Sequence, residues 1–156
     1  FCQPMLVAAQ RKIRRRSFLS PLFGGDGLNL PLRDESLDLI TISFGFRNFA
    51  NYQSGLKELH RVLKPGGMLA ILEFSHPKQN VIKAAYSFYA NHVLPLLGGL
   101  ISGSKEAYSY LPESISKFPR ADALIEMIKA AGFAEVRAEL LTGGIAALHC
   151  AIKQKS

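Results

Sequence analysis

The chain has 156 residues, 48% of them apolar, enough for one domain with a sizeable core and too few for a comfortable second. Cys2 and Cys150 lie at opposite ends without metal-ligand spacing, which argues against a disulfide framework or a zinc site and points to a reducing, intracellular setting. The net charge of +7 is local: Arg11, Lys12, Arg14, Arg15 and Arg16 stand near the start with no acid among them, and the rest of the chain carries 14 basic against 12 acidic residues. Without interleaved aromatics or a nucleic-acid module, such a run reads as a solvated helix face, and no nucleic-acid partner is expected. No apolar run approaches the ~20 residues of a membrane span, and the start lacks the order of a signal peptide. Phe1 in place of a methionine predicts a truncated or processed start.

Pro4 suits a first helical turn, and Met5, Leu6, Ala8, Ala9 and Ile13 form an amphipathic stripe, so a helix is expected over 4–16. Residues 20–23 read as a brief strand opening into Gly24-Gly25-Asp26-Gly27, where Asp26 is either a turn former or a ligand residue. Leu37, Leu39, Ile40, Ile42 and Phe44 have the near-continuous apolar pattern of a strand buried on both faces. Gly45 stops it, and Arg47 and Asn48 follow at once. In open α/β sheets the carboxyl end of a strand is where ligands bind, so Ser43, Arg47 and Asn48 are site candidates.

Leu56, Leu59, Val62 and Leu63 line one face of a helix over 52–63, which Lys64-Pro65-Gly66-Gly67 should end before a second strand over 68–74. Strand, helix and strand make one right-handed βαβ unit. From 77 to 119 the apolar residues wrap most of a helix around 81–97, predicting either ordinary packing on the sheet or a helical cover over a greasy ligand. A helix over 120–131 stops at Gly132. Strands over 135–141 and 145–153, joined by Thr142-Gly143-Gly144, must then form an antiparallel hairpin, because a parallel pair needs a long crossover.

A parallel α/β sheet closed by such a hairpin is typical of class I S-adenosylmethionine-dependent methyltransferases. GGDGLNLPL (24–32), SFGFRNF (43–49), ELHRVLKPGGMLAILEFSHP (58–77), AYSYLPESISKFP (107–119) and LLTGGIAALHCAIK (140–153) resemble the ubiquinone/menaquinone biosynthesis C-methyltransferase family over nearly the whole chain. KPGG before a strand is common to many methyltransferases; SFGFRN with EFSHP and YLPESI is far more discriminating. The resemblance implies an α/β fold: a partial Rossmann-like, mostly parallel sheet, within family order 3-2-1-4-5-7-6, with the C-terminal hairpin. It implies one methyltransferase domain over 1–156, truncated before the glycine-rich loop and ribose-binding acid, with a helical substrate-covering insert over 77–119.

By the same resemblance, S-adenosylmethionine is the cofactor, with Asp26 and the Gly27 backbone holding the adenine and Ser43 also in contact. Arg47 and Asn48 are the implied catalytic residues, no metal is used, and the substrate is a polyprenyl benzoquinol or demethylmenaquinol. Arg47 could instead be a salt-bridge residue organising its loop. Glu73, His76 and Tyr108 stand near site edges and read first as structural, while His60, His92 and His149 show no metal or triad spacing. An uncovered edge beside 37–44 predicts that the isolated chain aggregates, pairs with another chain such as a second copy, or stays a poorly packed monomer. The location implied is cytoplasmic, peripheral at a membrane surface, or an organelle interior in a eukaryote. The alternatives are an oxidoreductase or other transferase on a similar sheet, and a partner- or nucleic-acid-binding module using the basic 11–16 helix end.

Overall fold

The computed structural model describes residues 3–16, 21–76 and 113–155. The elements in chain order are α1 (Gln3–Arg16), β1 (Leu37–Ser43), α2 (Tyr52–Val62), β2 (Leu63–Phe74), a short helix over 113–117, α3 (Ala121–Ala130), β3 (Phe133–Leu141) and β4 (Ala146–Lys153). The cover expected over 77–119 falls mainly outside the described residues, as does Tyr108.

The four strands form one sheet in the order β1-β2-β4-β3. β1 and β2 are parallel, and β4 runs antiparallel to both β2 and β3. Three strands therefore point one way and β4 against them, the 4-5-7-6 part of the order expected from the resemblance. The hairpin link is a single 3-10 turn, Thr142–Gly144, with Gly143 at φ 67° and Gly144 at φ 92°. Consecutive left-handed residues are what reverse the chain there, and glycine takes them without a Cβ clash.

Strand parity decides the layers. Leu69, Ile71 and Glu73 of β2 share a buried face with Ala147, His149 and Ala151 of β4. Onto it pack Leu56 and Leu59 of α2, Leu124 and Ile128 of α3, and Phe46, Phe118 and Phe133. Fully burying one such side chain contributes about 1.5–3 kcal/mol. The spacing of 56, 59 and 62 gives α2 its apolar stripe, and the Asn51 side chain caps its start by accepting from Ser54 N at 2.9 Å.

Three expectations are corrected. β1 is not buried on both faces: Leu39 is 50% exposed while Ile40 and Ile42 pack against the core, and its second edge has no strand partner among the described residues, as expected. Residues 21–23 are irregular, and the nearest pairing is the isolated bridge between Asp26 and Asn29. Pro21 lacks the N–H a ladder requires, and no described strand lies beside it. Finally, Lys64-Pro65-Gly66-Gly67 does not stand before β2 but inside it: Leu63 already pairs with Leu37, and the register then jumps to Leu39 with Met68. The glycines absorb this bulge, Gly66 at φ 79°.

The loop carrying Asp26 is tied to α2 by charge. Glu58 Oε1 accepts from Leu30 N at 2.6 Å, and Arg61 donates to Glu58, to Asp34 and to the carbonyls of Leu30 and Leu32. Arg61 holds the Glu58 carboxyl below its ordinary value, mainly through their hydrogen bond.

His149 is 2% exposed, and its Nε2 lies 3.1 Å from Ala121 O, which can only accept; Nε2 therefore carries the proton. Burial holds this imidazole below its ordinary value. The unfolded chain then binds more protons once pH drops below about 6.5, so stability is lost as pH falls from there toward the folded value and gained as it rises. The melting temperature should fall between about pH 7.5 and pH 5, and His149→Gln should flatten part of that slope in thermal melts. A second outcome concerns Phe49, whose ring lies between Gly27 and Gly55: a Cβ on Gly27 would meet it at 2.7 Å, and one on Gly55 would be closer still. Alanine at a helical glycine gains about 1 kcal/mol, but overpacking costs about 1–3 kcal/mol. Gly55→Ala should lower the melting temperature, and adding Phe49→Leu should recover part of the loss.

Candidate functional site

The site begins where β1 ends. Phe44 continues the ladder through its N–H, which donates to Leu72 O at 2.9 Å, and then turns sharply with φ 51°. A left-handed non-glycine residue costs on the order of 1–3 kcal/mol and persists only where its surroundings fix it. Here the Phe44 ring packs on Phe74 at 4.8 Å, and its carbonyl accepts from Arg47 Nη1. Gly45 opens a single 3-10 turn, Phe46–Asn48. Phe46 anchors that turn, fully buried with ring centroids 4.9 Å from Phe49, 5.5 Å from Tyr52 and 6.3 Å from Phe118. Its two successors line different clefts.

Asn48 lines a cleft of about 500 Å³ with Asp26, Gly27, Leu28, Gly45 and Phe49. Asp26 makes a tight turn: its Oδ1 accepts from Leu28 N at 2.9 Å and its carbonyl from Asn29 N at 3.0 Å. The turn reading of Asp26 is therefore satisfied without excluding the ligand one, since the residue is exposed on the cleft and Oδ2 takes no hydrogen bond among the described residues. Gly27 is required by the Phe49 ring, which leaves no room for a side chain and keeps the local backbone bare.

Arg47 lines a second cleft, about 270 Å³, with Tyr52, Glu113, Ser114 and Lys117. Its side chain is 6% exposed and forms an ion pair with the fully buried Glu73, Nη1 to Oε1 at 3.1 Å. Glu73 also accepts from Arg47 N at 3.1 Å and from Phe74 N at 2.9 Å. The Phe74 ring lies 5.5 Å from the Arg47 guanidinium carbon. Tyr52 donates its hydroxyl to Arg47 O at 3.1 Å, and burial, with Glu73 second, raises the phenol above its ordinary value. The loop-organising salt bridge is present, and it leaves Nε buried without a hydrogen-bond partner among the described residues.

Ser43 is exposed at the end of β1 and lines neither cleft. His76 is half-buried, with Nε2 3.0 Å from Phe118 O, a contact that ties β2 to the segment before α3. His60 stacks edge-on against Phe133 at 5.0 Å. No group of three or more His, Cys, Asp or Glu among the described residues could hold a metal, and no described helix is long and apolar enough to cross a membrane.

Sequence reasoning passed over Tyr52, Phe49 and Lys117, each of which looked like ordinary helix or loop. Glu73 has the structural, hydrogen-bond-accepting role expected of it; what went unread is its partner, although in MLAILEF it shares parity with Leu69 and Ile71, and a carboxylate on the core face needs a cation.

A sequence model of the ubiE/COQ5 methyltransferase family matches residues 1–153. The demethylmenaquinone methyltransferase of Thermus thermophilus is 51% identical over 149 residues, 96% of this chain and 67% of that protein. That of Staphylococcus aureus (strain Newman) is 46% identical over 155 residues, 99% of this chain and 64% of that protein. The chain thus spans about two thirds of the length of these relatives. Among solved structures, a SAM dependent methyltransferase from Aquifex aeolicus superposes with TM-score 0.65 at 19% identity, covering 97% of this chain and 65% of that one. The [4+2]-cyclase SpnF superposes with TM-score 0.69 at 18% identity, covering 99% and 65%. The fold is that of the class I methyltransferases, and the chain belongs to the ubiE/COQ5 methyltransferase family.

Proposed function

We propose that this chain supplies the adenine-side cofactor contacts and the acceptor-ring contacts of an S-adenosylmethionine-dependent C-methyltransferase acting on a demethylmenaquinol, with a polyprenyl benzoquinol as the second candidate acceptor. The observation that carries this is the Phe46–Asn48 turn, whose adjacent residues Arg47 and Asn48 line two separate clefts beside the carboxyl end of β1. The family relatives named demethylmenaquinone methyltransferases favour the menaquinone-type acceptor.

The larger cleft fits a purine. Its volume of about 500 Å³ is within the usual range for small-ligand sites. Asp26 offers a free carboxylate oxygen to an exocyclic amine, and Gly27 offers bare backbone. When bound, S-adenosylmethionine supplies an electrophilic sulfonium methyl group. In the smaller cleft, Arg47 would donate to a ring oxygen, stabilising the phenolate whose charge enriches the ortho carbon for attack. Guanidinium stays protonated, so Arg47 cannot be the base; it would hold a water that takes the hydroxyl proton. Asn48 would orient the acceptor from the other side of the turn. Ser43, outside both clefts, is assigned no contact in this arrangement. An apolar isoprenoid tail also favours work at a membrane surface.

Three measurements on the intact protein test this. Labelled S-adenosylmethionine should transfer methyl to demethylmenaquinol, with the product identified by mass spectrometry; no transfer to either quinol would overturn the assignment. Asp26→Ala should weaken cofactor binding by about 1–3 kcal/mol in calorimetry, the loss of a charge-assisted hydrogen bond. Arg47→Lys should lower turnover at least about tenfold with cofactor affinity nearly unchanged, because lysine has no planar fork.

A further inference from the structure

We infer that Glu73 is a positioning residue, one buried carboxylate that grips Arg47 at both its backbone and its side chain and so fixes which guanidinium donor is left for an oxygen in the adjoining cleft. The inference rests on Arg47 being the acceptor-side residue proposed above.

Glu73 is fully buried on the core face of β2, in parity with Leu69 and Ile71. Charges in such a place are expensive, and replacing a buried ion pair by apolar residues of similar volume is often neutral or stabilising. Packing alone would therefore be served by an aliphatic side chain in register with its neighbours. What the carboxylate does instead is specific. Oε2 takes Arg47 N at 3.1 Å, while Oε1 takes Arg47 Nη1 at 3.1 Å and Phe74 N at 2.9 Å. The bond from Phe74 N holds the carboxylate itself in orientation.

Nη1 is then used up, because it also donates to Phe44 O. Phe44 reaches that position through its left-handed turn. Among the described residues Nε is buried with no partner, and the hydrogen bonds from Arg47 leave from N and Nη1, none from Nη2. With Nε out of reach of water and Nη1 already donating twice, Nη2 is the guanidinium donor left to reach an oxygen in the cleft that Arg47 lines. Without Glu73 the guanidinium could rotate about its last bonds and satisfy Nε elsewhere, and Nη2 would no longer be held toward the cleft.

The test uses the intact protein and Glu73→Gln, which keeps the shape but cannot accept from all three donors with full charge. Turnover should fall at least about tenfold, with the Michaelis constant for the quinol and the affinity for S-adenosylmethionine within about twofold of the parent. Arg47→Lys/Glu73→Gln should be no slower than Arg47→Lys alone, since Glu73 acts only through Arg47. Independently of activity, the Arg47 Nε–H resonance in a 15N spectrum, assigned by its loss in Arg47→Lys, should be sharp and slowly exchanging in the parent and broadened or lost in Glu73→Gln. If Glu73→Gln does not fold, Glu73→Asp retains the charge but shortens the reach, and the same three results are expected of it.

Parent-level turnover in the variant, additive losses in the double variant, or an unchanged Arg47 resonance would each overturn the inference. Absence of methyl transfer by the parent would instead remove the proposed reaction, while a resonance that still responds to Glu73→Gln would support the positioning.

Discussion

A carboxylate and a guanidinium meet out of reach of water between Glu73 and Arg47, and the layout of both clefts follows from that meeting. Removing one partner of a buried pair costs about 3–5 kcal/mol, a large part of the roughly 5–15 kcal/mol by which a domain is usually stable. The pair joins the end of β1 to the end of β2, adjacent parallel strands whose carboxyl ends open on the same side. It holds the loop between β1 and α2 down on the sheet, so that Phe46 is driven into the core and the residues beside it are left to line cavities. The left-handed Phe44 is tolerated only under that restraint.

A second electrostatic knot does for Asp26 what Glu73 does for Arg47. Arg61 and Glu58 on α2 bind the carbonyls and N–H of the Leu30–Leu32 stretch, so the turn at Asp26 sits at a set distance from the helix. Phe49 closes the gap from below, wedged between Gly27 and Gly55. The larger cleft is thus shaped by groups from α2 and the β1–α2 loop acting together, Phe49 among its lining residues.

The architecture alone does not decide the chemistry. A cyclase superposes on this chain as well as a methyltransferase does, and a shared fold of this kind hosts many reactions. Chemistry depends on the side chains placed at the site, and here Arg47 lines one cleft and Asp26 the other. The family match across residues 1–153 gives those side chains their context.

Much of this was legible in the chain itself. Apolar runs located β1 and β2, and period-3.6 stripes located α2 and α3, because burial dictates those patterns, and the short Thr142-Gly143-Gly144 link left an antiparallel pair as the sole option. The motif SFGFRN marked Arg47 and Asn48 as residues delivered to a site. Other features needed the folded chain. Whether β1 is buried on both faces depends on which strands flank it and what covers the sheet, which no local pattern records. Whether KPGG interrupts a strand or bulges within it depends on the register of Leu37 with Leu63. That Arg47 and Asn48, neighbours in sequence, face different clefts is a property of one 3-10 turn pinned by a buried phenylalanine. And the partner of Arg47 lies 26 residues away on another strand: the chain marked Glu73 only as a structural residue near a site edge, and it was the tertiary structure, by setting two strand ends side by side, that paired it with Arg47.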